Sequence, residues 1–149
     1  MAQADNATIA RAFYDDWNKR DFDHLAGLLA DDGEILLVGS GTSFGGPDGA
    51  RQFSQMWADG FPDGRVTIDN IVAAGEHVVV EHTGRGSQTG TLAAPGGDIP
   101  ATGKSVTLQL CDVFRIEGGE IKSLRSYFDS ASLLMQLGVL PETRVATTS

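Results

Sequence analysis

The sequence predicts an α+β fold, a strongly curved antiparallel sheet with helices over one face and a cone-shaped pocket between them. Three observations predict it. Helical spacing of apolar residues fills the first part of the chain, at residues 6–19 and 47–60. Two hairpin patterns follow, at 65–86 and 104–127, and helices followed by paired strands are an α+β order. A capped helical segment then occupies residues 129–138. At 149 residues the chain reads as one domain, 1–149, long enough to bury a real core.

The elements follow in order. Ile9, Phe13 and Trp17 fall at i, i+4 and i+8 with Ala12 beside them, so 6–19 is a helix with Asn6 or Thr8 as its cap. Residues 20–23 are a polar break, and 24–30 reads as a short second helix that Asp31-Asp32-Gly33 ends. A first strand is expected at 34–38, followed by a Gly- and Ser-rich loop at 39–49. The third helix, 47–60, places Ala50, Phe53, Met56 and Trp57 on one side. Pro62-Asp63-Gly64 is a turn, and strands 65–74 and 77–86 are joined through Gly75-Glu76. A long Gly/Pro/Ala-rich connection, 87–103, leads to strands 104–116 and 120–127 around Glu117-Gly118-Gly119. Asp129 or Ser130 caps the last helix, which runs through Leu137 to a Gly138 stop. The tail 141–149 is expected to fray.

Composition limits the function classes. Hydrophobic residues make up 41% and charged residues 21%, an ordinary globular balance. The net charge of −9 argues against nucleic acid and anionic membranes, which select basic surfaces. One cysteine, Cys111, excludes an internal disulfide and a multi-cysteine metal site. The N-terminal MAQADNATIA has no basic region and no apolar run, so the expectation is a cytoplasmic protein without a signal peptide. GGPDGA lacks the lysine of a phosphate loop, and no Cys or His spacing suits zinc, so no cofactor is expected.

The chemistry centres on Asp112. In the strand around it, Val106, Leu108, Leu110, Asp112, Phe114 and Ile116 share one face. An unpaired carboxylate in that row is costly. Either it is tied down for structural reasons, or it lines a cavity where desolvation makes a carboxylate a stronger base. His82 shares a face with Val80 and Val78, and Ser126 lies on the last strand. Tyr14, Trp17, Trp57, Leu108, Leu110, Phe114 and Phe128 are the candidate wall of the pocket. Asp129 reads first as a helix cap, His24 and His77 as surface residues, and Arg85 as an outer-face residue paired with Glu81.

Four segments in order, FYDDWNKRDFDHLAGLLADD, PATGK, VFRIEGGEI and the QLG after YFD, resemble the SnoaL-like polyketide cyclases of the nuclear transport factor 2-like superfamily. The resemblance covers nearly the whole chain. It implies a pocketed α+β barrel and cofactor-independent chemistry on a hydrophobic carbonyl compound: aldol cyclisation, isomerisation or dehydration. The aldol-type ester cyclases use an Asp on the final strand and a His on the strand before. The matching positions here are Ser126 and Asp112. The chain is also similar to limonene epoxide hydrolase, whose Arg, Asp and final-strand Asp positions read His82, Gly84 and Ser126. Its water-holding Tyr and Asn positions fall near the aliphatic Ile35 and Leu37. Both constellations are therefore altered, and Asp112 with His82 is the replacement acid/base pair, with Ser126 or Tyr127 as auxiliary donors. The alternatives are a divergent epoxide hydrolase and a non-catalytic ligand-binding or association module. A homodimer is expected through the exposed sheet face, where Val79, Thr107, Gln109, Val113 and Tyr127 alternate outward.

Overall fold

A computed structural model of the chain describes residues 3–94 and 96–140, with side chains from residue 6 onward. The tail 141–149, expected above to fray, lies outside the described residues. The elements are α1 (Gln3–Lys19), α2 (Phe22–Gly27), β1 (Leu29–Leu37), β2 (Thr42–Gly45), α3 (Gly46–Gly60), β3 (Arg65–Ala74), β4 (His77–Ser87), β5 (Ser105–Glu117), β6 (Glu120–Phe128) and α4 (Ser130–Gln136). Six strands form one curved, unclosed sheet in the order β2-β1-β6-β5-β4-β3. The α+β cone read from the sequence is the observed architecture.

The two hairpins agree with the sequence reading because their turns are chemically specified. Gly118 and Gly119 both carry positive φ, 60° and 78°, as a two-residue turn of the primed kind demands. Pairing of β5 with β6 places Asp112 opposite Ser126, and pairing of β4 with β5 places Val80 opposite Asp112. Asp129 caps α4 by accepting from the Ser132 backbone, 3.1 Å away.

Four expectations are corrected. The sheet is not wholly antiparallel, since β1 lies parallel to β6. The second helix stops at Gly27, and β1 begins at Leu29 and continues through Asp31-Asp32-Gly33, where its register against β6 shifts. Gly33 permits this: a Cβ there would lie 2.8 Å from the Ile121 carbonyl oxygen and 2.9 Å from that of Ala30. A short strand, β2, forms inside the expected loop. Helix α1 starts at Gln3, so neither Asn6 nor Thr8 caps it. Asn6 instead donates its amide to the Gly75 carbonyl across the fold, at 3.2 Å.

Helix α1 packs against β3 and β4, and α3 against β1. The main core joins Phe13, Tyr14 and Trp17 of α1 to Val78, Val80 and Phe114 of the sheet. A second cluster gathers Phe61, Leu92, Ile99, Val106, Leu108 and Leu133 at the other end. Asn18 seals the outer edge of β3, bonding both the Val66 N–H and C=O at 2.8 and 2.9 Å. Gln88, fully buried, ties down the long connection by contacts to Ile99, Pro100 and Thr102. Among the described residues no helix is long and apolar enough to cross a membrane.

Candidate active site

Between the helices and the concave sheet face lies a cavity of about 100 Å³. Its surface is almost entirely apolar. Trp17, Trp57, Leu108 and Leu110, expected as wall, do line it, together with Tyr14. At its floor stand Asp112, His82 and Ser126, all buried.

The three floor residues come together because the sheet register brings them together. Asp112 and Ser126 are direct cross-strand partners, and His82 lies diagonally from Asp112, opposite Leu110. The His82 Nε2 is 2.8 Å from Asp112 Oδ2. A carboxylate accepts, so the imidazole proton sits on Nε2 and that nitrogen donates. The Tyr14 hydroxyl, from α1, donates to the same oxygen at 2.6 Å. Its ring stacks at a tilt on the His82 ring, with centroids 4.7 Å apart.

One oxygen of Asp112 therefore takes both donors. The other, Oδ1, is buried with no hydrogen-bond partner, and so is His82 Nδ1. Buried polar atoms without partners are uncommon, and each demands an explanation. Here both atoms are sealed from water, and the cavity that their residues line is almost entirely apolar.

Burial pushes the Tyr14 phenol well above its ordinary value, and the charge of Asp112 and the hydrogen bond to it push the same way. Tyr14 is thus a fixed donor near neutrality. The consequence for stability is confined to alkaline solution. Above the phenol's ordinary value the unfolded chain sheds this proton first, and the fold weakens as pH rises further.

Other candidates fall elsewhere. Phe114 and Phe128 do not line the cavity: Phe114 is fully buried behind Tyr14, with ring centroids 5.9 Å apart, and Phe128 packs edge-on against Trp57. Tyr127 points outward, 40% exposed, and accepts from Arg125 Nε at 3.1 Å, so it is no auxiliary donor in the cavity. Glu81 accepts from Asn70 at 3.1 Å and does not pair with Arg85. His24 is exposed and bonds Asp16 at 2.6 Å, away from the cavity. Among the described residues no group of three or more His, Cys, Asp or Glu side chains is placed to hold a metal ion.

Sequence reasoning missed part of the wall. Phe13, Phe53, Phe61 and Leu133 also line the cavity. Phe13 was legible as the middle of the Ile9-Phe13-Trp17 stripe, and Phe53 as part of the apolar side of 47–60. Phe61 lies beyond its helix and carried no periodic signal.

A family model described as SnoaL-like polyketide cyclase matches residues 7–137. Among solved structures, TsrD from Streptomyces laurentii is 28% identical, with 94% of this chain and 99% of that one covered and a TM-score of 0.80. A protein with a ketosteroid isomerase-like fold from Catenulispora acidiphila DSM 44928 is 25% identical, covering 89% and 93%, with a TM-score of 0.74. An LEH-like epoxide hydrolase of M. tuberculosis, 23% identical and 90% covered on both chains, has a TM-score of 0.69 and shares the fold. No curated protein matches the chain.

Proposed function

The chain belongs to the SnoaL-like polyketide cyclase family, and from that membership we propose a cofactor-independent acid/base enzyme acting on a hydrophobic carbonyl compound. One observation carries the reading: Asp112 lines an apolar cavity, its Oδ2 is saturated by Tyr14 and His82, and its buried Oδ1 is left without a partner. That oxygen is the general base. It takes a proton from the carbon next to the substrate carbonyl, and the resulting enolate closes a ring, shifts a double bond or expels water. A desolvated carboxylate suits this step, because water no longer competes for its lone pair. His82 and Tyr14 hold the carboxylate in one rotamer, and the Ser126 hydroxyl faces the same floor as a donor to the carbonyl. An epoxide-opening reading has less support, since Gly84 and Ser126 put no carboxylate where that chemistry needs one.

The test is exchange of α-protons for solvent deuterium in hydrophobic ketones such as β-tetralone, followed by NMR. The protein should accelerate exchange well above the buffer rate at the same pH. Exchange at the buffer rate across a panel of such ketones would sink the proposal.

Tyr14 gives a second, separate expectation. Tyr14→Phe removes one of the two donors that hold Asp112 Oδ2 in place. Turnover should fall by roughly tenfold with ketone binding retained. A melting temperature that drops while turnover of the folded protein stays at the wild-type level would make Tyr14 merely structural.

The outer sheet face is proposed to mediate a homodimer. Tyr127 is 40% exposed there, and Val79 and Val113 are half-buried beside it. Light scattering at tens of micromolar, about the usual working range, should give twice the monomer mass. The monomer mass alone would contradict it.

A further inference from the structure

We propose that Gly84 is a specificity-determining residue of the cavity: the side chain it lacks keeps open a slot for the part of a ketone that extends beyond its reacting ring. The proposal rests on the cavity being the site of the ketone chemistry read above, and it adds a size class to that substrate. Gly84 lines the cavity, on the same face of β4 as Val78, Val80 and His82. Its direct cross-strand neighbours, Val66 on β3 and Leu108 on β5, line the cavity as well. They stand one strand spacing to either side, about 4.8 Å each, and Gly84 leaves the sheet bare between them. The slot lies two residues beyond His82, about 7 Å along the strand. A ring seated at Asp112 reaches it through a second ring or a substituent.

Nothing in the fold calls for a glycine at this position. A glycine inside a strand weakens it, through backbone entropy and a missing side chain. The other glycines of the lining have packing reasons. At Gly64 a Cβ would meet the Phe61 carbonyl oxygen at 2.9 Å and Trp17 Cη2 at 3.0 Å. At Gly86 it would meet Gly64 Cα at 3.1 Å and Asp63 Oδ1 at 3.2 Å. At Gly84, among the described residues, it would meet within 4 Å only Leu110 Cδ1, at 3.7 Å, an ordinary van der Waals distance. Gly84 has no positive φ either, so an L side chain suits its backbone. Valine would fit the strand better and fill the cavity. The space over Gly84 is therefore explained by what enters the cavity and not by the chain around it.

Binding of two ketones tests this, β-tetralone with its two fused rings and cyclohexanone with one, each followed by NMR titration on wild type, Gly84→Ala and Gly84→Val. Wild type should prefer β-tetralone. Gly84→Val should lower the ratio of the two affinities by about tenfold or more, the usual effect of crowding an apolar pocket by a methyl group or two. Gly84→Ala should move the ratio the same way by less. The melting temperatures of both variants should hold or rise, since the strand gains a side chain with room for it. An unchanged ratio in Gly84→Val, with wild type binding β-tetralone, would overturn the assignment of Gly84 and leave the acid/base reading standing. Equal loss of both ketones with a lower melting temperature would overturn it too, because the glycine would then be a need of the fold. Binding of neither ketone by wild type would overturn the ligand-site reading together with this one.

Discussion

Phe114→Ala should cost about 3–5 kcal/mol of stability, the usual loss for emptying a buried phenylalanine site. For a chain of this size that lowers the melting temperature by on the order of 10 °C. Phe114 is fully buried between its cross-strand partners Val78 and Leu124. It meets Phe13 and Tyr14 edge-to-face, with centroids 5.7 and 5.9 Å away. Such contacts add about 0.5–1.5 kcal/mol each beyond area burial. Truncation leaves a void in a place no solvent reaches, under the very ring that donates to Asp112. Calorimetry on Phe114→Ala checks this. A shift of only a degree or two would mean that Phe114 borders open space after all, as a wall residue would.

The contrast between Phe114 and Leu110 explains where the sequence stops being informative. Both lie on the Asp112 face of β5, and period-two alternation assigned that face correctly from 106 to 116. Alternation says which face a residue takes, not how deep along the cone it sits. Leu108 and Leu110 meet the cavity, whereas Phe114 meets the α1 rings. The hairpins were legible because Gly75-Glu76 and Gly118-Gly119 impose local turns. The parallel pairing of β1 with β6 was not, because no local residue pattern encodes a contact so distant along the chain. The same holds for Tyr14: helical spacing put it on α1, but its bond to Asp112 spans 98 positions. Gly33 misled for a physical reason. Asp-Asp-Gly reads as a stop, yet the strand continues through a register shift there, and only a residue without a Cβ fits between the Ile121 carbonyl of β6 and the Ala30 carbonyl of β1 itself.

Asp112→Asn bears on the central claim, that the bare Oδ1 is a working base and not an accident of packing. Asparagine keeps the size and shape of the side chain. It can still accept from Tyr14 and His82 through its amide oxygen, but it places an NH₂ where Oδ1 stood and cannot take a proton from carbon. Loss of a positioned general base costs about 10²–10⁴-fold in rate. Loss of a structural anchor would act on folding instead, because an unmet buried polar group costs about 1–3 kcal/mol. His82→Ala should cost less turnover than Asp112→Asn, since the imidazole orients the base and does not carry the proton. The deciding measurement pairs the rate of deuterium exchange into a bound hydrophobic ketone with the melting temperature, on the Asp112→Asn protein beside wild type. The account predicts exchange reduced at least a hundredfold (the low end of that range, about 10²), with the melting temperature and ketone binding nearly unchanged. Exchange near the wild-type rate in a protein that melts several degrees lower would contradict it.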